Sequence, residues 1–153
     1  MTPKDMMAFD GNAEDLGISK SALMENAGKS VADYIINTLN PCKVTIFAGN
    51  GGNGGDGFVA ALHLLNNEYT VELLFLGYPS RIKSHETLQN WTAIQNISLG
   101  INSLEIKIIT DSSAIKKIDS PAIIDAMLGT GIKGKIKEPI SSAIDLINES
   151  LLG

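Results

Sequence analysis

The stretch Val44-Thr45-Ile46-Phe47-Ala48-Gly49-Asn50-Gly51-Gly52-Asn53-Gly54-Gly55-Asp56-Gly57, running on into Phe58-Val59-Ala60-Ala61-Leu62-His63-Leu64-Leu65, decides the fold. Val44, Ile46 and Phe47 form a short β-branched and aromatic run that suits a buried parallel strand. Six glycines then crowd the nine positions from Gly49 to Gly57, and Phe58–Leu65 reads as a helix. A simple turn needs one or two glycines. More of them, between a strand and a helix, let backbone amides approach a ligand unobstructed. The helix start offers unpaired N–H groups and a positive dipole end, which suit a phosphate.

The same alternation extends along the chain. Thr70–Leu76 reads as a strand, Gly77-Tyr78-Pro79-Ser80 as a loop, and Ser84–Ile97 as a helix burying Leu88, Trp91 and Ile94. Leu104–Thr110 is a third strand, Ser113–Ile118 a short helix, and Ala122–Ala126 a fourth strand. Pro139 opens a last amphipathic helix over Ile140–Ile147. Upstream, residues 1–40 read as helical, with a break at Leu16-Gly17. The second segment, capped by Ser19 or Ser21, places Ala22, Leu23, Ala27, Val31, Tyr34 and Ile35 on one face. Asn40-Pro41 ends it. Strands alternating with helices imply a mostly parallel sheet with right-handed crossovers. The expected class is therefore α/β: a Rossmann-like three-layer α/β/α domain with N-terminal helices.

A second glycine segment, Gly129-Thr130-Gly131-Ile132-Lys133-Gly134-Lys135, follows the strand that ends Ile124-Asp125-Ala126. In open parallel sheets ligands bind beyond the carboxyl ends of strands, near the switch in strand order. If the first and fourth strands are neighbours, Asp125 and this segment face the first glycine loop. Asp125 then suits holding a cation, moving a proton, or bracing its own loop. Lys133 and Lys135 neutralise phosphate or are simply solvated. Asp56 caps the helix, or binds a hydroxyl or a cation.

Other motifs are weaker. Gly49-x-Gly51-x-x-Gly54 matches the dinucleotide fingerprint, but Gly77-Tyr78 stands where a ribose-binding acid belongs, so plain hydride transfer loses support. No lysine follows Gly54 as a Walker loop requires, and Gly28-Lys29-Ser30 lies within a helix. His63 reads as a packing residue, His85 as a surface residue at a helix start, Trp91 as core and Cys42 as inert.

At 153 residues the chain suits one domain. With 44% hydrophobic and 19% charged residues it reads as globular. A net charge of −5 disfavours nucleic acid and membrane surfaces as partners. One cysteine and two histidines exclude a disulfide framework and a zinc cluster. The expected location is cytoplasmic.

Three segments in order, Leu23-Met24-Glu25-Asn26-Ala27-Gly28, Gly52-Asn53-Gly54-Gly55-Asp56-Gly57 and Asp125-Ala126-Met127-Leu128-Gly129-Thr130-Gly131, resemble the signatures of the NAD(P)H-hydrate epimerase family, the YjeF N-terminal domain. The resemblance covers essentially the whole chain. It implies an isomerase that converts R-NADHX and R-NADPHX, the hydrated nicotinamide cofactors, to their S forms. It implies a homodimer, and functional coupling to an NAD(P)HX dehydratase. By the family pattern Gly52, Asn53, Gly54, Gly55 and Asp56 contact the hydrated dinucleotide, as do Gly129 to Lys135. Asn53 and Asp125 would help hold a potassium ion. Asp125, a carboxylate at a strand end, is our own candidate for moving or orienting the proton, with the aspartate of a later family segment as its rival. The family pattern usually has asparagine at the position of Gly52. It also continues into a strand ending in Asp-x-Pro-Ser-Gly, which these residues do not contain. The expectation is one domain over 1–153 lacking its last strands, with activity reduced accordingly. The alternative is a dinucleotide-binding or protein-interaction module without turnover. A third reading, an ordinary oxidoreductase, lacks the ribose acid and an evident hydride-site histidine or tyrosine.

Overall fold

The computed structural model describes residues 17–127. The expected segment before Leu16-Gly17, Pro139 and the helix over Ile140–Ile147 lie outside them. The described chain runs through helix α1 (Lys20–Thr38), strand β1 (Lys43–Ala48), helix α2 (Gly52–Asn66) and strand β2 (Thr70–Leu76). Helix α3 (His85–Ser98), strand β3 (Leu104–Ile109) and strand β4 (Ala122–Ala126) follow. The four strands form one sheet in the order β3-β2-β1-β4, and every pairing is parallel. This is the expected three-layer α/β fold, with β1 and β4 as neighbours.

The pleat sorts the apolar residues into two layers. Val44, Ile46 and Ala48 of β1, with Val71, Leu73 and Phe75 of β2, pack under Ala32, Ile35, Phe58, Leu64, Trp91 and Ile94 of the helices. Phe58, Phe75 and Trp91 meet there, with ring centroids 4.9–6.1 Å apart. On the other face Phe47, Leu74, Leu76, Ile109 and Met127 are covered by Ile115 and Ile118. Among the described residues that third layer is the β3–β4 crossover, which carries one 3-10 turn at Ser112–Ala114 instead of the expected helix over Ser113–Ile118. A lattice of polar contacts fastens it. Thr45, fully buried, shares hydrogen bonds with Ser120 (2.5 Å) and Glu72 (3.3 Å), and Lys43 reaches Asp119 at 3.1 Å.

Three further expectations need correction. First, α2 begins at Gly52, not Phe58, and its N-cap is Gly51. Most of the glycine-rich segment is therefore helix, and Asp56, in the second turn, is not the cap. Second, α1 turns a different face to the core. Met24, Gly28, Ala32 and Ile35 are buried, whereas Val31 is 38% and Tyr34 73% exposed, and among the described residues both line an open groove beside β4. The physical reason is close approach. A Cβ on Gly28 would overlap Val59 and the Asp56 carbonyl of α2, so small residues form the crossing and larger ones are turned outward. Third, Leu88 is 46% exposed, and Thr87 takes the buried position beside Trp91 and Ile94. Ser19 is the N-cap of α1, accepting from Ala22 N–H at 3.1 Å.

Candidate functional site

The chain proceeds from β1 to β2 to β3 in one direction across the sheet and returns to β4 on the far side of β1. The strand order therefore reverses between β1 and β4, and their carboxyl ends border the crevice where ligands of such sheets bind. The two ends touch. Ala48 pairs with Ala126, and Gly49 N–H donates to the Ala126 carbonyl at 3.1 Å. A Cβ on Gly49 would overlap the Met127 carbonyl, so the glycine turn and the exit from β4 run in backbone contact.

Gly52, Asn53, Gly54, Gly55 and Asp56 form the first turns of α2, directly after the turn Gly49–Gly51. Four glycines of this segment answer to packing. Gly49 meets Met127. Gly54 lies against the Gly49 carbonyl, Gly55 against Met24 and Thr87, and Gly57 against Ala126 and Ile46. Gly51 and Gly52 differ: a Cβ at either would have nothing within 4 Å. Both are exposed. They sit at the amino end of α2, whose first turn holds no acidic side chain. The N–H groups of a helix's first turn lack intrahelical carbonyl partners, and the dipole is positive at that end.

Asp125 lies at the end of β4, opposite Phe47 in register, and is exposed. One carboxylate oxygen accepts from Met127 N–H at 3.2 Å, which steadies the exit from the strand. The residue also borders the groove between β4 and α1. Pleat alternation puts Ala126, not Asp125, on the α2 side, where it abuts Gly57. Gly129, Thr130, Gly131, Ile132, Lys133, Gly134 and Lys135 lie outside the described residues. An amide oxygen from Asn53 and a carboxylate oxygen from Asp125 are hard donors, a set whose chemistry suits an alkali cation.

The sequence reading missed the wall behind the glycine turn. Ser84, the N-cap of α3, donates to Thr87 Oγ1 at 2.7 Å, and Thr87 Oγ1 donates to the Gly51 carbonyl at 3.4 Å. Asn90 Nδ2 donates to the Glu86 carbonyl at 3.0 Å and to Met24 Sδ at 3.2 Å. These contacts bind α1, α2 and α3 together beneath the turn. A threonine at helical spacing from Trp91 and Ile94, three residues after a capping serine, was the available signal. His63 is a bracing residue, paired with Glu25 of α1 at 2.6 Å, and Cys42 packs at the edge of the core.

Among the described residues no helix is long and apolar enough to cross a membrane. The family model described as "YjeF-related protein N-terminus" matches residues 20–152. The chain is 49% identical over 150 residues to the bifunctional NAD(P)H-hydrate repair enzyme Nnr of Methanothermobacter thermautotrophicus, covering 98% of this chain and 29% of that one. It is 33% identical over 153 residues to the NAD(P)H-hydrate epimerase of Nitrosopumilus maritimus, covering 98% of this chain and 68% of that one. It thus spans less than a third of the bifunctional relative. The crystal structure of yeast ynu0 superposes with a TM-score of 0.79 at 22% identity, over 97% of this chain and 64% of that one, which shows the shared fold. Sheet order, glycine turn and matched residues agree, and the chain belongs to the YjeF-related protein N-terminus family.

Proposed function

We propose that the chain is the epimerase domain of nicotinamide cofactor repair, acting on R-NADHX and R-NADPHX. The observation that carries this reading is the side-chain-free helix start at Gly51-Gly52 at the reversal point of the sheet, where the strand that carries the exposed carboxylate of Asp125 also ends. Kinship to proteins named NAD(P)H-hydrate epimerase supports it. The backbone amides at the start of α2 hold the pyrophosphate, and Asn53 and Asp56 reach polar groups of the dinucleotide. By the family pattern Gly129 to Lys135 would contact it as well. Asn53 and Asp125 would hold a potassium ion, which when bound supplies positive charge beside the phosphates.

In the reaction the nitrogen lone pair of the hydrated ring expels the hydroxyl from the adjacent carbon. Asp125 gives or orients the proton with which it leaves as water. The resulting iminium is planar, water adds to its other face, and a proton returns to the carboxylate. Atoms and charge balance without a redox partner. The S product would pass to an NAD(P)HX dehydratase, and the active form would be a homodimer.

A chromatographic time course of R-NADHX to S-NADHX, in potassium and in sodium, tests this against the uncatalysed background. The expected result is acceleration, greater in potassium, that falls about 10²-fold in Asp125→Asn with an unchanged circular dichroism spectrum. A folded chain that leaves the background rate unaltered is a binding module, and the epimerase reading then fails. Full activity in Asp125→Asn removes the carboxylate from the chemistry.

A further inference from the structure

The turn after β2 carries a feature with no part in the epimerase chemistry, although its role depends on where that chemistry places the dinucleotide. Gly77 takes a φ of +121° and hands its N–H to the Ile109 carbonyl at 2.9 Å, which turns the chain sharply out of the sheet. Tyr78 caps a single 3-10 turn, Pro79–Arg81, closed by Arg81 N–H to the Tyr78 carbonyl at 2.9 Å. The proline fixes φ and stiffens that turn. Within it the Arg81 guanidinium lies over the Tyr78 ring, 5.0 Å from the centroid, and Tyr78 is 49% exposed. Stacking orders the long side chain yet leaves the N–H edges of the plane open to a ligand. Among the described residues no carboxylate lies within ion-pairing distance of Arg81.

Position gives this pair a role. A dinucleotide across such a sheet sets its pyrophosphate at the helix after β1 and one ribose beside the end of β2. An acid there binds the ribose 2′-hydroxyl, whereas an arginine accommodates a 2′-phosphate. Here the end of β2 offers Gly77-Tyr78 and then Arg81, Lys83 and His85, all three exposed, in a chain of net charge −5. The segment is not an independent loop. Ser84 and Thr87 connect it to the Gly51 carbonyl, so the arginine-bearing turn and the glycine turn share one wall. We infer that Arg81, held on Tyr78, is the specificity-determining residue for a 2′-phosphate, and that the site prefers the phosphorylated cofactor, R-NADPHX, over R-NADHX.

The test is calorimetric titration of the full chain with adenosine 2′,5′-bisphosphate, with 5′-AMP and with inorganic phosphate. The bisphosphate should bind at least tenfold more tightly than either of the others. In Arg81→Gln it should fall to parity with 5′-AMP, whose own affinity stays unchanged. Equal affinities in the parent chain overturn the inference, as does a preference that survives in Arg81→Gln. Rates for R-NADPHX and R-NADHX, measured alongside, separate nucleotide discrimination from epimerisation. Discrimination between nucleotides without epimerisation of either substrate leaves the 2′-phosphate site standing and removes the epimerase. Equal epimerisation of both without discrimination does the reverse. If no nucleotide binds, the inference fails.

Discussion

Gly54 and Gly52 are two residues apart and glycine for opposite reasons. A Cβ at Gly54 would overlap the Gly49 carbonyl, a backbone atom that cannot swing aside, whereas a Cβ at Gly52 has nothing within 4 Å. Sequence shows the density of glycines but not which ones answer to packing, because each packing reason is an approach between segments far apart in the chain. Gly57 against Ala126 is an example. The count therefore overstates the share that a ligand explains, while the place is legible, since a strand followed by glycines and a helix has few alternatives. Gly54→Ala should cost about 1–3 kcal/mol or more, as overpacking does. Gly52→Ala should stay within about 0.5 kcal/mol of the parent and yet weaken nucleotide binding. Urea midpoints and a nucleotide titration on both variants check this. Equal losses of stability would mean that Gly52 is a packing glycine too.

At the scale of elements, α2 ends in a way that its sequence conceals. Tyr69 N–H bonds to the Leu64 carbonyl at 3.1 Å and Glu68 N–H to the Leu65 carbonyl at 3.3 Å, the two bonds of a Schellman cap. Such a cap wants glycine at its left-handed position. Here Glu68 fills it, with a φ of 70°. Asn66-Asn67-Glu68-Tyr69 therefore carries no glycine stop signal, and the helix end is legible only from the strand beyond it. Replacing Glu68 by glycine removes a Cβ from a conformation that disfavours it by roughly 1–2 kcal/mol, less the entropy that a glycine adds to the unfolded chain. The net expectation is a gain of up to about 1 kcal/mol in urea unfolding. A loss would show that the Glu68 side chain makes a compensating contact. Helix α1 hides its contact face in a similar way. Its buried stripe is Met24, Gly28, Ala32 and Ile35, so a search for bulky apolar residues picks Val31 and Tyr34 instead. Helices that approach closely meet through small residues.

For the molecule as a whole, parallel strands and short connections are readable because a parallel pair needs a crossover, and the spacing leaves room for one each time. The far layer is not readable, since it rests on contacts between charges distant in sequence. Glu72, on the face opposite the helices, receives Lys107 at 3.3 Å and lies 4.0 Å from Lys43, which itself holds Asp119 of the crossover at 3.1 Å. The hydrogen bond to Asp119 raises the Lys43 pKa above its ordinary 10.5, and the same bond lowers the Asp119 pKa below its ordinary 3.8. Folding thus favours the charged form of both groups. The stability that Asp119 contributes is fully present above pH 3.8 and is lost as pH falls through its lowered value. What Lys43 contributes is fully present below pH 10.5 and is lost as pH rises through its raised value. Between those limits the crossover should stay fastened, and Lys43→Met should lower the urea midpoint by a constant amount. That difference should shrink as the pH is taken below 3.8, because protonated Asp119 no longer discriminates between lysine and methionine. A gap that persists unchanged in strong acid would assign the role of Lys43 to the packing of its stem over the sheet, and among the described residues the polar fastening of the third layer would then rest on Thr45 and Ser120, beside the packing of Ile115 and Ile118.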